Sequence, residues 1–169
     1  MAKTSATQLP LKFPTGGKTD VRAQFAALCW RIKDGKLQIC LVTSRTRGRW
    51  ILPKGWPMHK QTPAEAAATE AFEEAGVTGK AYDTCLGAYS YVKPLGDSAT
   101  PIITLVYPVH VQKVYKTWPE MTQRRRKWFN QHKAAEKLSE PALQRIVATF
   151  QPHPFLHEPA IAAAKKQLI

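Results

Sequence analysis

Between Thr62 and Gly76 the chain has one conformation open to it. Thr62 can cap a helix, Pro63 suits the first helical position, and Glu65 completes a Thr-x-x-Glu capping box. Alanines, the strongest helix formers, fill the middle, and Gly76 suits the left-handed position that ends a helix. On the helix this pattern predicts, Glu70, Glu73 and Glu74 stand at i, i+3 and i+4, so their side chains share one side.

That placement is unfavourable by itself. Like charges at this spacing repel by roughly 0.2–0.5 kcal/mol per pair. Two of the three also lie in the last turn, where the helix dipole disfavours anions. The chain holds only 12 Asp plus Glu against 25 Lys plus Arg, for a net charge of +13. An acidic knot in so basic a chain needs a reason. A hard divalent cation, Mg²⁺ or Mn²⁺, prefers carboxylate oxygens and would remove the repulsion. Glu70, Glu73 and Glu74 are therefore candidate metal ligands, with a solvated acidic face as the competing reading.

The length of 169 residues predicts one domain with a sizeable core. The longest uninterrupted apolar run, Phe25 to Trp30, is too short to span a bilayer, and no apolar signal core accompanies Lys3. Cys29, Cys40 and Cys85 form neither a zinc pattern nor a disulfide framework, so they read as small core residues in a reducing cytoplasm. The charge favours an anionic partner: nucleic acid, an anionic membrane surface or a highly phosphorylated small molecule.

Along the chain, residues 1–20 read as a flexible lead-in with Pro10, Pro14 and Gly16-Gly17. Val21 to Ile32 and Leu37 to Thr43 form a predicted hairpin about Asp34-Gly35. Ser44 to Arg49 is a basic loop, followed by a short strand Trp50 to Leu52, a Pro53 to Pro57 turn and the acidic helix. Tyr82 to Val92 and Ile102 to Val114 are further predicted strands. Trp118 to Lys127 reads as a polar connection ending in the basic run Arg124 to Lys127. Leu143, Ile146, Val147 and Phe150 recur at helical spacing behind Glu140-Pro141, and Pro159 to Ile169 suggests a terminal helix.

Gly55 to Val77 resembles the Nudix hydrolase box: Gly, five residues, Glu, seven residues, then Arg-Glu-U-x-Glu-Glu-x-Gly-U, with U a bulky aliphatic. Aligned without a gap on Glu73-Glu74-Ala75-Gly76-Val77, the pattern puts Glu70 on the catalytic glutamate and Gly55 on the leading glycine. Two positions depart: Thr69 stands at the arginine and Gln61 at the first glutamate. Losing one charged partner would strand the other; losing both is compensated if Gln61 and Thr69 pair. Trp118-Pro119-Glu120, Trp128-Phe129, Ala134-Ala135 and Glu140-Pro141 are similar to the tail of diphosphoinositol-polyphosphate phosphohydrolases and their bacterial relatives, extending the resemblance over about residues 21–150.

The resemblance implies an α/β fold, the Nudix-type α/β/α sandwich with a mixed central β-sheet over residues 21–150, with 151–169 as a C-terminal extension. It implies a metal-dependent pyrophosphohydrolase with Mg²⁺ or Mn²⁺ on Glu70, Glu73 and Glu74 and with Glu70 or Glu73 as general base. Glu120 and Asp97 are candidates outside the box. Arg45, Arg47, Arg49 and Lys54, just before the box, and Lys60 within its loop are candidate phosphate ligands, since guanidinium forks match phosphate oxygens. His59 reads as an exposed loop residue. Inositol pyrophosphates and dinucleoside polyphosphates both match the charge. The alternative is a degenerate module that binds a phosphorylated ligand or RNA without turnover. Plain nucleic-acid binding ranks last, because no aromatic-basic interleaving of the kind base stacking needs is present.

Overall fold

The structure, a computed structural model, describes Pro10, residues 22–95 and residues 98–156. The expected lead-in (Pro10 apart), Asp97 and the expected helix over Pro159 to Ile169 lie outside the described residues. The strands are β1 (Ala23–Lys33), β2 (Lys36–Thr43), β3 (Trp50–Ile51), β4 (Lys54–Gly55), β5 (Val77–Ala81), β6 (Gly87–Leu95), β7 (Ser98–Val114) and β8 (Arg126–Asn130). The helices are α1 (Pro63–Ala75), α2 (Gln131–Lys137) and α3 (Pro141–Thr149).

Hydrogen bonding orders the sheet β3-β2-β1-β7-β5, with β4 joined to β1, β6 to β7 and β8 to β2. The sheet is mixed: β1 runs parallel to β7 and antiparallel to β2 and β4. Asp34 and Gly35, both with positive φ, make the tight turn between β1 and β2 that matches the strand twist.

Alternation along β1 explains the layers. Ala26, Leu28 and Trp30 point into one core with Leu138, Leu143, Val147 and Phe150 from the α2–α3 side. Phe25, Ala27 and Cys29 point into a second core with Ala64, Ala67 and Ala71 of α1. A strand covered on both faces has no polar side, and this is why Phe25 to Trp30 is an unbroken apolar run. The small alanines of α1 let its axis lie close to the sheet. The result is an α/β/α sandwich, the architecture the family resemblance implied.

Three local expectations need correction. The strand expected from Tyr82 begins only at Gly87. Tyr82 instead buries its ring against Phe155 and donates its hydroxyl to the Phe155 carbonyl at 2.6 Å, while residues 82–86 bond to β7 at their ends, through the Tyr82 amide on Pro108 and the Leu86 amide on Val106. Val77–Ala81, not anticipated, forms β5 against β7 directly after the α1 cap. The end of the expected polar connection is β8: Arg126 pairs with Val42 and Lys127 with Leu41.

Candidate active site

The capping box closes as expected: Thr62 Oγ1 accepts from the Glu65 amide at 3.2 Å, and Glu65 accepts from the Thr62 amide at 2.9 Å. At the other end Gly76 adopts φ 59° and ψ 40°, and its amide bonds back to Ala71 and Phe72. Trp118 covers Gly76 so closely that an added Cβ would lie 2.7 Å from the indole.

The three glutamates share a helix side but not an environment. Glu70 lays its carboxylate over Gly55, where a Cβ would come within 1.8 Å of its Oε1. The leading glycine is thus a cradle for this carboxylate, and β4 sets it there by pairing Gly55 with Phe25. Glu73 is half-buried, and its carbonyl accepts from the Glu120 amide at 3.0 Å. Glu74 is buried at 5% exposure, and its Oε1 accepts from Arg124 Nη2 at 2.7 Å. Its Oε2 accepts from the Lys54 amide at 3.3 Å.

Arg124 is itself buried and spends three of its five donors here: on Glu74, on Glu120 and on the Thr43 carbonyl at 3.0 Å. Burial raises the Glu74 carboxyl and Arg124 opposes the rise; with Glu70 adding to it, the carboxyl is held up at about 7. Burial likewise lowers Lys54, with Glu74 opposing. The repulsion that seemed to demand a cation is therefore relieved in part by an arginine from elsewhere in the chain. As the side chains stand, no three His, Cys, Asp or Glu groups among the described residues converge into a metal cluster. The donor set still fits a hard cation: carboxylate oxygens from successive turns of one helix, with Glu70 seated in a cradle that only glycine leaves open.

The second arginine of the run also turns inward. Arg126 donates to the Ala75, Gly76 and Tyr115 carbonyls at 2.7, 3.3 and 3.1 Å and stacks 4.1 Å over Trp118. It satisfies carbonyls left over at the α1 terminus and places a cation at the negative end of the helix dipole. The basic run is thus not a solvated face. Arg124, two residues ahead of β8, and Arg126, its first residue, go in, and Arg125 and Lys127 stay exposed.

The altered box positions meet. Thr69 Oγ1 lies 3.2 Å from Gln61 Oε1 and 3.0 Å from the Glu65 carbonyl. One hydroxyl proton cannot serve both acceptors, so a turned Gln61 amide donating to the hydroxyl satisfies all three groups.

A cleft of roughly 400 Å³ opens beside this centre. Arg45, Arg47, Arg49 and Lys54, picked out from sequence, all line it; Lys60 does not. Lys60 instead takes φ 61° in the box loop. Lys93, Arg124, Tyr89, Tyr91 and Glu140 also line the cleft and were not singled out as its residues. Lys54 Nζ stands 4.9 Å over the Tyr91 ring. Arg45 reaches Gln123 at 3.4 Å and lies 3.8 Å from Glu120, which joins the cleft rim to the Arg124 network. The aromatics hid from a sequence scan because β6 alternates them with polar residues. Arg124 hid within its run.

A family model described as NUDIX domain matches residues 22–150. Among curated proteins, the chain is 35% identical over 114 residues to Nudix hydrolase 16, mitochondrial, of Arabidopsis thaliana, covering 64% of this chain and 63% of that one. It is 31% identical over 115 residues to diphosphoinositol polyphosphate phosphohydrolase 3-beta of Bos taurus, covering 67% and 66%. The match spans only 54–63% of the length of the first four plant relatives. Among solved structures, the fold is similar to an Ap4A hydrolase of C. elegans, with a TM-score of 0.56 at 17% identity over 80% of this chain and 98% of that one. A NUDIX hydrolase from Nitrosomonas europaea gives a TM-score of 0.56 at 18% identity over 75% and 86%.

Proposed function

Because the chain belongs to the Nudix family, we propose that it hydrolyses a pyrophosphate bond in a highly anionic, diphosphate-linked substrate, with residues 21–150 as the catalytic domain. The observation that carries this reading is the meeting of two features at Arg124: the box glutamate Glu74 on one side and a cationic cleft on the other.

Phosphoryl transfer asks the protein chiefly for positioning and charge neutralisation. Arg45, Arg47, Arg49 and Lys54 would draw the phosphates into the cleft. Arg124 keeps two N–H donors beyond the three it spends, and a phosphate oxygen entering the cleft can take them. Glu70 and Glu74, with Glu73, would hold Mg²⁺ or Mn²⁺, which when bound neutralises the diphosphate and makes an attacking water more acidic. Glu70 or Glu73 would take the proton from that water. Tyr89 and Tyr91 wall the cleft; burial raises both phenols, so both stay protonated and neutral near pH 7.

Names of relatives bear on the substrate. Diphosphoinositol polyphosphates and Ap4A are both polyanions that a cleft of this charge suits. A reducing compartment such as the cytoplasm is part of the proposal, supported by the free thiols of Cys29, Cys40 and Cys85; the first two are buried as expected, whereas Cys85 is exposed and not a core residue. Among the described residues no helix is long and apolar enough to cross a membrane.

The test is turnover of a panel of diphosphates with Mg²⁺ and Mn²⁺ beside a Glu70→Gln variant. Phosphate release by the wild type and its loss in the variant support the reading; equal release from both sinks it. A binding-only module is the second reading, favoured by the engagement of Glu74 with Arg124. Ligand stabilisation in a thermal melt without any product would establish it.

A further inference from the structure

We propose that Glu140 is a specificity residue whose carboxylate accepts hydrogen bonds from the free hydroxyls of a ribose-type diol on the substrate, selecting such diphosphates over rings phosphorylated at every position. The inference rests on the cleft being the substrate site of the hydrolase reading above.

Glu140 is the N-cap residue of α3, a position where the shorter Ser, Thr, Asp and Asn side chains bond the first free amides of the helix. Glu140 makes no such bond. It lines the cleft instead, in no ion pair among the described residues, as the one acid in an otherwise cationic ionised lining. It is half-buried and shares the cleft lining with Lys54, Tyr89 and Tyr91.

The chemistry of such a group is narrow. An ionised carboxylate only accepts hydrogen bonds. A phosphate set against it meets like charge and offers no proton, so a fully phosphorylated ring would be repelled at this end of the cleft. A vicinal diol offers two donors and no charge. Phosphates among Arg45, Arg47, Arg49 and Lys54, with hydroxyls on Glu140, satisfy both ends of the cleft together. Sites built to pair a hydroxyl reject analogues lacking it strongly, because the partner is then left unpaired.

The experiment uses the full chain with Mg²⁺ and two matched nucleoside-diphosphate-linked compounds, one with a ribose diol and one 2′,3′-dideoxy, beside a ring compound bearing phosphate or diphosphate at every position. Both kcat/KM and equilibrium Kd are measured for wild type, Glu140→Gln and Glu140→Ala. The wild type should prefer the diol over the dideoxy compound by roughly 10- to 100-fold, the range expected for a hydrogen bond to a charged group. Glu140→Ala should erase that preference and improve the ring compound, and Glu140→Gln should keep part of it. Equal changes toward all three ligands, or none, would overturn the proposal. The binding arm separates failures: a diol preference in Kd without turnover removes the hydrolase reading and leaves Glu140 its role, whereas turnover without preference does the reverse.

Discussion

Glu74 and Arg124 form a buried ion pair at 2.7 Å, with both side chains under one-tenth exposed. Each is the other's chief compensation for leaving water. Removing one partner of such a pair strands the other charge and costs about 3–5 kcal/mol. Arg124→Met should therefore lower unfolding stability by that order in urea titration. Glu74→Gln combined with Arg124→Met should recover much of the loss, and a double-mutant cycle reads the difference. Additive losses would show that the two residues do not act as a pair.

Gly55→Ala should separate stability from activity. The new Cβ meets the far end of the Glu70 side chain at 1.8 Å, and a glutamate can swing aside at little cost to the fold. Its carboxylate, though, leaves its cradle, and a displacement of about 1 Å at a reacting centre costs on the order of 100-fold in rate. The expected result is a near-unchanged thermal midpoint with turnover down roughly 10- to 100-fold.

Arg126→Met should destabilise the protein by roughly 1.5–3 kcal/mol, the scale of hydrogen bonds made by a charged group. The carbonyls of Ala75, Gly76 and Tyr115 lose their donor together. Arg126→Lys should restore only part, since an ammonium cannot reach three carbonyls in the plane of one fork. Chemical denaturation of the three proteins side by side checks the ranking.

Thr69→Arg should not raise activity. Thr69 already meets Gln61 and the Glu65 carbonyl, and an arginine there would face a neutral amide where the usual box has a carboxylate. Adding Gln61→Glu should restore a charge pair and tolerate the arginine. A gain from Thr69→Arg alone would mean that the missing arginine limits turnover.

His110 should make the fold sensitive to mild acid. It stacks on buried Trp30 with ring centroids 4.1 Å apart and lies across from Lys80 on β5. Burial, then Lys80, lowers its pKa below the ordinary 6.5. In that window the unfolded chain binds more protons than the folded one, so stability rises with pH. The contribution is complete above 6.5 and is lost as pH falls below it toward the folded value. Thermal midpoints between pH 5 and 7 should slope less in His110→Phe than in wild type; parallel slopes would remove His110 as the cause.

What could be read from sequence was local. The α1 caps, the spacing of Glu70, Glu73 and Glu74, and the two-sided burial of β1 all follow from patterns within a few residues of each other. The partner of Glu74 did not, because Arg124 lies 50 residues away in a run that resembles a solvated patch. Only the fold divides that run into inner and outer residues: Arg124 turns in just ahead of β8, and the two-residue period of β8 sends Arg126 and Trp128 to the α1 side. Glu140 was masked in another way: before a proline it reads as an ordinary helix start, and nothing local says that its carboxylate leaves the helix.

The long reach of Arg124 also fixes when the centre comes into being. Its bonds to Thr43 and Glu74 span 81 and 50 residues, so they close only once distant parts of the chain have been brought together. The segment from Trp118 through β8 must dock before Glu74 has a countercharge and before the cleft has its inner wall. The stretch from Trp118 to Arg125, ahead of β8, is thus the natural place for a partial opening that silences the site while Phe129 and Trp128 of β8 keep their places against the two cores. Hydrogen exchange should find the amides around Arg124 less protected than those of β1.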